Sequence, residues 1–381
     1  MSREVRLGEL IEIKHGFAFP GEHFASEGDF VLLTPGNCYE TGGLRLKGEK
    51  EKYYVGDIPE CFVLRENDLI LVMTDLVQNA PILGGAFLIP EDRKFLHNQR
   101  LGLVKINDTD RIVRKYLYYL LNFEGYRSQV RASASGATVR HTSPSRIYNC
   151  RVPLPDPQVQ ARIADILSAY DDLIENNRRR IALLEQAARE LYREWFVRLR
   201  FPGHEHVKIV DGVPDGWSLT KIGDAAPLSY GKALQAERRT PGPYRVFGSS
   251  GEVGTHSEAI VSGPGIIVGR KGSIGSVHWS EGDFWPIDTV YFVQPDRVSP
   301  FLQYALERVG FINTDVAVPG LNRDYAHGRE LLWPADALLR DFHEAIAPMR
   351  KQCSVLRSQS EKLARARDLL LPRLMNGSIA V

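Results

Sequence analysis

IADILSAYDDLIENNRRRIALLEQAARELYREW, residues 163–195, and FHEAIAPMRKQCSVLRSQSEKLARARDLLLPRL, residues 342–374, carry one and the same ladder. In the first, Ile163, Leu167, Tyr170, Ile174, Asn177, Ile181, Leu184, Ala188, Leu191 and Trp195 recur. In the second, Phe342, Ile346, Met349, Cys353, Leu356, Ser360, Leu363, Arg367, Leu370 and Leu374 do so. Both step 4, 3, 4, 3 without a break. That alternation is the coiled-coil period, in which a narrow seam lets two helices lie along each other. At 1.5 Å per residue each ladder extends about 48 Å. Asn177 falls on a seam position, where it either fixes register at some cost in stability or sits partly solvated where the seam opens. Pro348 is expected to kink the second helix or leave it locally unpaired.

Working outward, Pro153-Leu-Pro-Asp-Pro157 blocks helix until about Gln158, and Phe201-Pro202-Gly203 stops the first ladder. Residues 5–153 hold short β-like runs, Phe30-Val-Leu-Leu, Asp68-Leu-Ile-Leu-Val-Met and Leu101-Gly-Leu-Val-Lys-Ile, with one helical segment near 112–122. Residues 204–216 read as a linker, a second β-rich part runs to Trp333, and Pro334 opens the second long helix, which ends at Asn376-Gly377. The two halves repeat. Leu7-Gly8-Glu9 and Gly16 match Ile222-Gly223-Asp224 and Gly231 at the same spacing, and Arg193 through Gly203 matches Arg367 through Gly377. The fold class expected is mixed α/β (α+β): two globular domains, 1–155 and 204–333, separated and followed by helical spacers, 156–203 and 334–381, with pseudo-twofold internal symmetry.

A length of 381 residues and 43% hydrophobic content suffice for two real cores. No apolar run reaches about 18 residues, and MSREVRLGEL lacks the features of a signal peptide, so a cytoplasmic location without membrane attachment is expected. Cys38, Cys61, Cys150 and Cys353 are scattered, with no Cys-x-x-Cys pair, and read as buried thiols rather than disulfides or a zinc site. The net charge of +1 does not announce a nucleic-acid binder. Residues 156–200 hold 8 basic and 8 acidic side chains and 335–381 hold 8 and 5, which leaves the globular parts 32 basic of 48 against 34 acidic of 47. Any DNA affinity would therefore have to come from local clusters, with acidic residues segregated elsewhere, and from partner subunits.

The order of globular domain, long helix, globular domain, long helix resembles the specificity subunit of type I restriction-modification enzymes. Pro153-Leu-Pro, Leu191-Tyr-Arg-Glu-Trp-Phe-Val-Arg and Leu369-Leu-Leu-Pro-Arg-Leu-Met-Asn-Gly-Ser-Ile carry the likeness, together with Gly269-Arg-Lys-Gly-Ser-Ile-Gly275 and Ile287-Asp-Thr. The resemblance implies a non-catalytic reader of double-stranded DNA, each globular part a target recognition domain for one half of a split asymmetric site and the helices fixing the gap. It further implies two adenine-N6 methyltransferase subunits docked on the chain and restriction (motor) subunits joining them. S-adenosylmethionine, ATP and Mg would belong to those partners, with no cofactor or metal on this chain. The docking surface implied is the outer helix faces, at Arg178, Arg179 and Arg180 and at Trp195 and Phe196.

The residues independently fail to supply an active site. No Asn/Asp-Pro-Pro-aromatic turn is present to hold a target amine, and no His-x-x-x-His or His-Glu-x-x-His spacing occurs. Gly265-Ile-Ile-Val-Gly-Arg-Lys-Gly-Ser273 is one residue short of a P-loop and runs into a β-like segment. Candidate DNA contacts in the first domain are Lys14 and His15, Thr74 with Gln78 and Asn79, Asn98 and Arg100, and Ser133, Thr138, Arg140 and His141 on a small-residue loop. In the second they are Lys232, Gln235, Ser249, Ser250, the Gly-flanked Arg270, Lys271 and Ser273, and Asn322, Arg323 and Tyr325. Their amide, hydroxyl and guanidinium groups suit base edges and phosphates; the alternative for each is an ordinary turn or solvated surface. Two rival functions stay open: a duplicated protein-binding scaffold with no DNA role, and a complete enzyme with a disguised site.

Overall fold

The computed structural model describes residues 3–313 and 319–381. The chain divides into two compact units, 1–177 with 358–381, and 178–357. Each unit combines one globular part with one end of both long helices.

The first long helix runs Pro157–Tyr192 and the second Asp336–Met375. All ladder positions are buried or half-buried, so the period located the seam correctly. Within unit 1, Arg367 donates to the Asp171 carboxylate, and within unit 2, Arg357 donates to Glu185. Low numbers on one helix thus meet high numbers on the other, and the pairing is antiparallel in both units. Asn177 is only 6% exposed, so the seam is closed there and not solvated. The antiparallel register brings it level with Ser360, the other uncharged polar position of the ladders. The second helix runs unbroken through Pro348, whose ring faces solvent, where water can satisfy the carbonyl that proline leaves without a donor. The first helix widens into a π-helical turn, Arg193–Val197, and stops where Leu199 takes a φ of 56°. The second ends at Gly377, with a φ of 70°, as a C-terminal glycine should.

Unit 1 is built on a four-stranded antiparallel sheet in the order Ile11–His15, Leu101–Ile106, Leu69–Val72, Ala86–Leu88. Unit 2 repeats it with Leu228–Tyr230, Val290–Val293, Gly265–Gly269, Val277–Ser280. In each, a further strand pair closes the base: Arg3–Arg6 with Arg151–Leu154, and Ser218–Lys221 with Glu330–Trp333. A second small sheet accompanies each, and here the units differ: Phe24–Ala25, Tyr53–Tyr54, Phe30–Leu32 and Phe95–Leu96 in the first, three strands over Tyr244–Gly248, Gly251–His256 and Phe284–Pro286 in the second.

The helix expected near 112–122 is Arg114–Asn122, and Glu124–Ser133 follows it directly. Tyr116, Leu120, Tyr126 and Val130 of these helices join Ile163, Leu167, Leu374 and Met375 in one core. In unit 2, Phe301, Leu302 and Leu306 join Tyr192, Phe196, Phe342 and Ile346. The globular parts therefore share their cores with the helix ends. Three cysteines are buried as expected, but Cys61 is exposed, because it lies in the short turn Glu60–Phe62 at the rim of the small sheet. Among the described residues no helix is long and apolar enough to cross a membrane.

Candidate nucleic-acid interface

The four-stranded sheet of each unit brings three chain segments to one end. In unit 1 these are the last residues of Ile11–His15, the chain entering Leu101–Ile106 and the chain leaving Leu69–Val72, held by the pairings His15 with Gly102 and Val72 with Leu101. Lys14 and His15 are exposed there. Asn98 Oδ1 accepts the Arg100 N–H at 3.0 Å, which fixes the turn carrying both. Met73 N donates to Arg100 O and Thr142 N to Met73 O, both at 3.0 Å, which lays the short strand Arg140–His141 beside Thr74–Asp75. Thr74 itself is buried, its Oγ1 3.1 Å from His141 Nδ1, so it orients His141 rather than offering a free hydroxyl. Gln78 and Asn79 are exposed on the next turn. The buried Asp75 carboxylate holds that turn by accepting the N–H groups of Val77 and Ile82 at 3.2 and 2.8 Å.

Two further first-domain candidates are otherwise engaged. The Arg140 guanidinium donates to the carbonyls of Arg131, Gly136 and Ala134, capping the end of the helix Glu124–Ser133 and bracing its own loop. Ser133 Oγ donates to Val130 O at 3.1 Å. Thr138 is exposed at the tip of that loop.

Unit 2 repeats these bonds with different side chains. Arg270 N and Lys271 N donate to Thr289 O at 2.9 and 3.1 Å, Leu321 N donates to Arg270 O at 2.9 Å, and Lys271 bridges to Gly320. Met73 therefore corresponds to Arg270, Thr74 to Lys271, Arg100 to Thr289, His141 to Gly320 and His15 to Tyr230. Gly16 and Gly231 show why the repeat keeps glycine: a Cβ at Gly16 would lie 2.2 Å from Asn98 O, and one at Gly231 2.0 Å from Ile287 O. By the same register residues 140–143 of the first domain's loop answer to 319–322 in the second.

At this end of unit 2, the guanidinium carbons of Arg270 and Arg323 each lie 5.0 Å from the Tyr230 ring centroid. Arg270 Nη1 also donates to Asp288 O at 3.1 Å. Lys271 is exposed beside them. The Lys232 ammonium lies 5.8 Å from the Trp285 ring centroid, and Lys232 O accepts Trp285 Nε1–H at 2.8 Å. Ser249 O accepts from His278 Nε2 at 3.1 Å, and Ser249 Oγ from Ser273 N at 3.4 Å, so Ser249, Ser250 and Ser273 gather on adjoining turns. Gln235 is exposed on a separate turn. Asn322 caps the short helix Arg323–Gly328 by accepting Tyr325 N–H at 3.0 Å, and Tyr325 packs against the core. Tyr230 was not among the sequence candidates. The signal was available: it precedes Gly231 as His15 precedes Gly16.

Of the docking candidates, Arg178, Arg179 and Arg180 are exposed on the first long helix. Phe196 is a correction: it is only 6% exposed and packs on Trp217, Phe301 and Phe342. Trp195 is half-buried against Phe342. The π-helical turn rotates both rings into the core of unit 2, where a strict seven-residue period predicts an outer face for Phe196.

A family model described as the type I restriction modification DNA specificity domain matches residues 2–186. The chain is 23% identical over 312 residues to the type I restriction enzyme MjaIX specificity subunit of Methanocaldococcus jannaschii, spanning 74% of this chain and 72% of that protein. It is 26% identical over 246 residues to the type I restriction enzyme EcoBI specificity subunit of Escherichia coli, spanning 60% of this chain and 48% of that one. In fold it resembles the crystal structure of the type I restriction-modification S subunit from M. genitalium, with a TM-score of 0.54 at 19% identity over 98% of this chain and 96% of the other.

Proposed function

We infer that this chain belongs to the specificity subunits of type I restriction-modification enzymes, and from that premise we propose that it is the sequence reader of such an enzyme. Each unit reads one half of a split, asymmetric DNA site with the sheet end described above. The paired helices set the gap between halves. Methylation of adenine N6 and ATP-dependent cleavage belong to methyltransferase and restriction subunits that dock on the chain. S-adenosylmethionine, ATP and Mg would act in those partners, and this chain's role is non-catalytic.

The observation that carries the reading is the register between the two sheet ends. Corresponding backbone bonds place Met73, Thr74 and His141 in one unit and Arg270, Lys271 and Gly320 in the other, so that the exposed side chain is His141 in the first and Lys271 in the second. One frame with two sets of side chains suits a target whose halves differ in sequence. A protein-binding scaffold has no need of that arrangement.

The test is a domain exchange. With residues 1–155 replaced by the corresponding domain of another specificity subunit, the methylated site should change in one half only and keep its gap. A change in both halves would contradict two separate reading heads.

A further inference from the structure

We propose that the half-site read by unit 2 contains a guanine, contacted in the major groove by the guanidinium groups that flank Tyr230, and that the half-site read by unit 1 is recognised without this device. The inference rests on the DNA-reading function proposed above.

Tyr230 ends the strand Leu228–Tyr230 and is 50% exposed at the sheet end. The guanidinium carbons of Arg270 and Arg323 lie 5.0 Å from its ring centroid, and that of Arg270 also lies 5.9 Å from the Tyr291 ring. Cation–π contact and the bond from Arg270 Nη1 to Asp288 O fix the plane of a group that on an open surface would rotate freely. Arg323 starts the short helix capped by Asn322, so its backbone is fixed as well. Its Nε is buried and has no hydrogen-bond partner among the described residues.

A fixed guanidinium plane is what separates base reading from charge neutralisation. Guanine presents O6 and N7 side by side, and a held Arg donates to both at once; a phosphate can pair with Arg bidentately too, but it is served equally by a Lys point charge, whereas the guanine edge discriminates between the two. Lys271 and Lys232, a bridge away and on the neighbouring turn, supply the orientation-free charge. Unit 1 offers no such pair. Met73, buried in its core, stands where unit 2 has Arg270; His15 stands for Tyr230; and by the same register Pro144 stands for Arg323. What unit 1 exposes instead are Lys14, His15, Gln78, Asn79, Arg100 and His141, with Arg100 standing where unit 2 has Thr289 and no tyrosine at position 15 to hold its plane.

The experiment selects duplexes from a library randomised in both half-sites, using the complex of this chain with its methyltransferase subunits. Wild-type complex, R270Q and R323Q, and Y230F with R270K as conservative partners are compared, with thermal stability measured for each. Wild type should fix a guanine in one half. R270Q or R323Q should relax that position by on the order of tenfold or more while every position of the other half keeps its preference. R270K should relax it too, since an ammonium cannot donate bidentately, while keeping the salt dependence of binding. A uniform loss over all sequences with a shallower salt dependence would mean a phosphate contact and overturn the inference. So would a well-selected half-site assigned to unit 2 without guanine, or unchanged selection in stable variants. If wild-type complex selects no split sequence at all, the reading beneath the inference fails instead.

Discussion

Tyr148 and His327 hold the same place in the two units. Tyr148 Oη accepts the backbone N–H of Ile13 at 2.8 Å, and His327 Nε2 accepts that of Leu228 at 3.0 Å. Each residue also backs the glycine that opens its unit, with Tyr148 Cβ 2.6 Å and His327 Cβ 3.0 Å from the point a Cβ on Gly8 or Gly223 would occupy. A hydroxyl and an imidazole thus close the same bond in two halves of one chain. The duplicated frame is kept while its side chains have changed.

That substitution makes unit 2 sensitive to acid. To accept from Leu228, His327 must be neutral with its proton on Nδ1. Burial, then the nearby Arg323 charge, hold its pKa below the ordinary value. The native state binds fewer protons, so the contribution is complete above pH about 6.5 and declines as pH falls below it. His97 does the same in unit 1. It is buried, Nε2–H donates to Leu101 O at 3.0 Å, and burial pushes its pKa down to about 4. Between pH 6.5 and 4 it should remove about 3 kcal/mol of stability. Melting temperatures measured across that range should fall, and H97Q should flatten the fall; an unchanged slope in H97Q would assign the loss elsewhere.

G16A and G231A should each destabilise by about 2 kcal/mol, because the added Cβ meets a backbone oxygen that only a shift of the sheet end can move aside. Denaturant titration of the two variants checks this. Equal losses would fit their equivalent positions, and a change confined to one would break the register.

Asp171 accepts from Tyr119 Oη at 2.6 Å and from Arg367, joining both helices to the globular part of unit 1. With Arg367 about one-fifth and Asp171 about one-quarter exposed, R367L alone should cost about 2 kcal/mol by stranding the carboxylate. The double variant R367L/D171L should recover part of the loss, since it leaves no unpaired charge at the pair, while Tyr119 Oη loses its acceptor. Denaturation of the two singles and the double measures the coupling.

The seam was readable in the sequence because helix period is local: every step of 4 or 3 can be counted along the chain. The Gly8 and Gly16 spacing was readable for the same reason. The sheet order was not, since Leu101–Ile106 sits between Ile11–His15 and Leu69–Val72 through pairings that no nearby residue announces. Among site residues, Lys14, His15, Asn98 and Arg100 converge at the sheet end of unit 1, and Arg270 and Lys271 lie at that of unit 2, because strand ends and glycine turns mark where a sheet opens to solvent. Arg140 turned inward to carbonyls of its own loop, and Phe196 turned into the core through the π-helical turn, both outcomes of tertiary geometry. Tyr230 precedes Gly231 as His15 precedes Gly16, so its place at the sheet end was implicit in the repeat.

The most direct measurement is a genome-wide map of adenine methylation in cells that express this chain together with its methyltransferase subunit. The account predicts a single split motif, two different fixed halves at a constant gap, absent when this chain is omitted. A stable complex of the two that leaves no such motif would contradict the reading of this chain as the part that recognises the sequence.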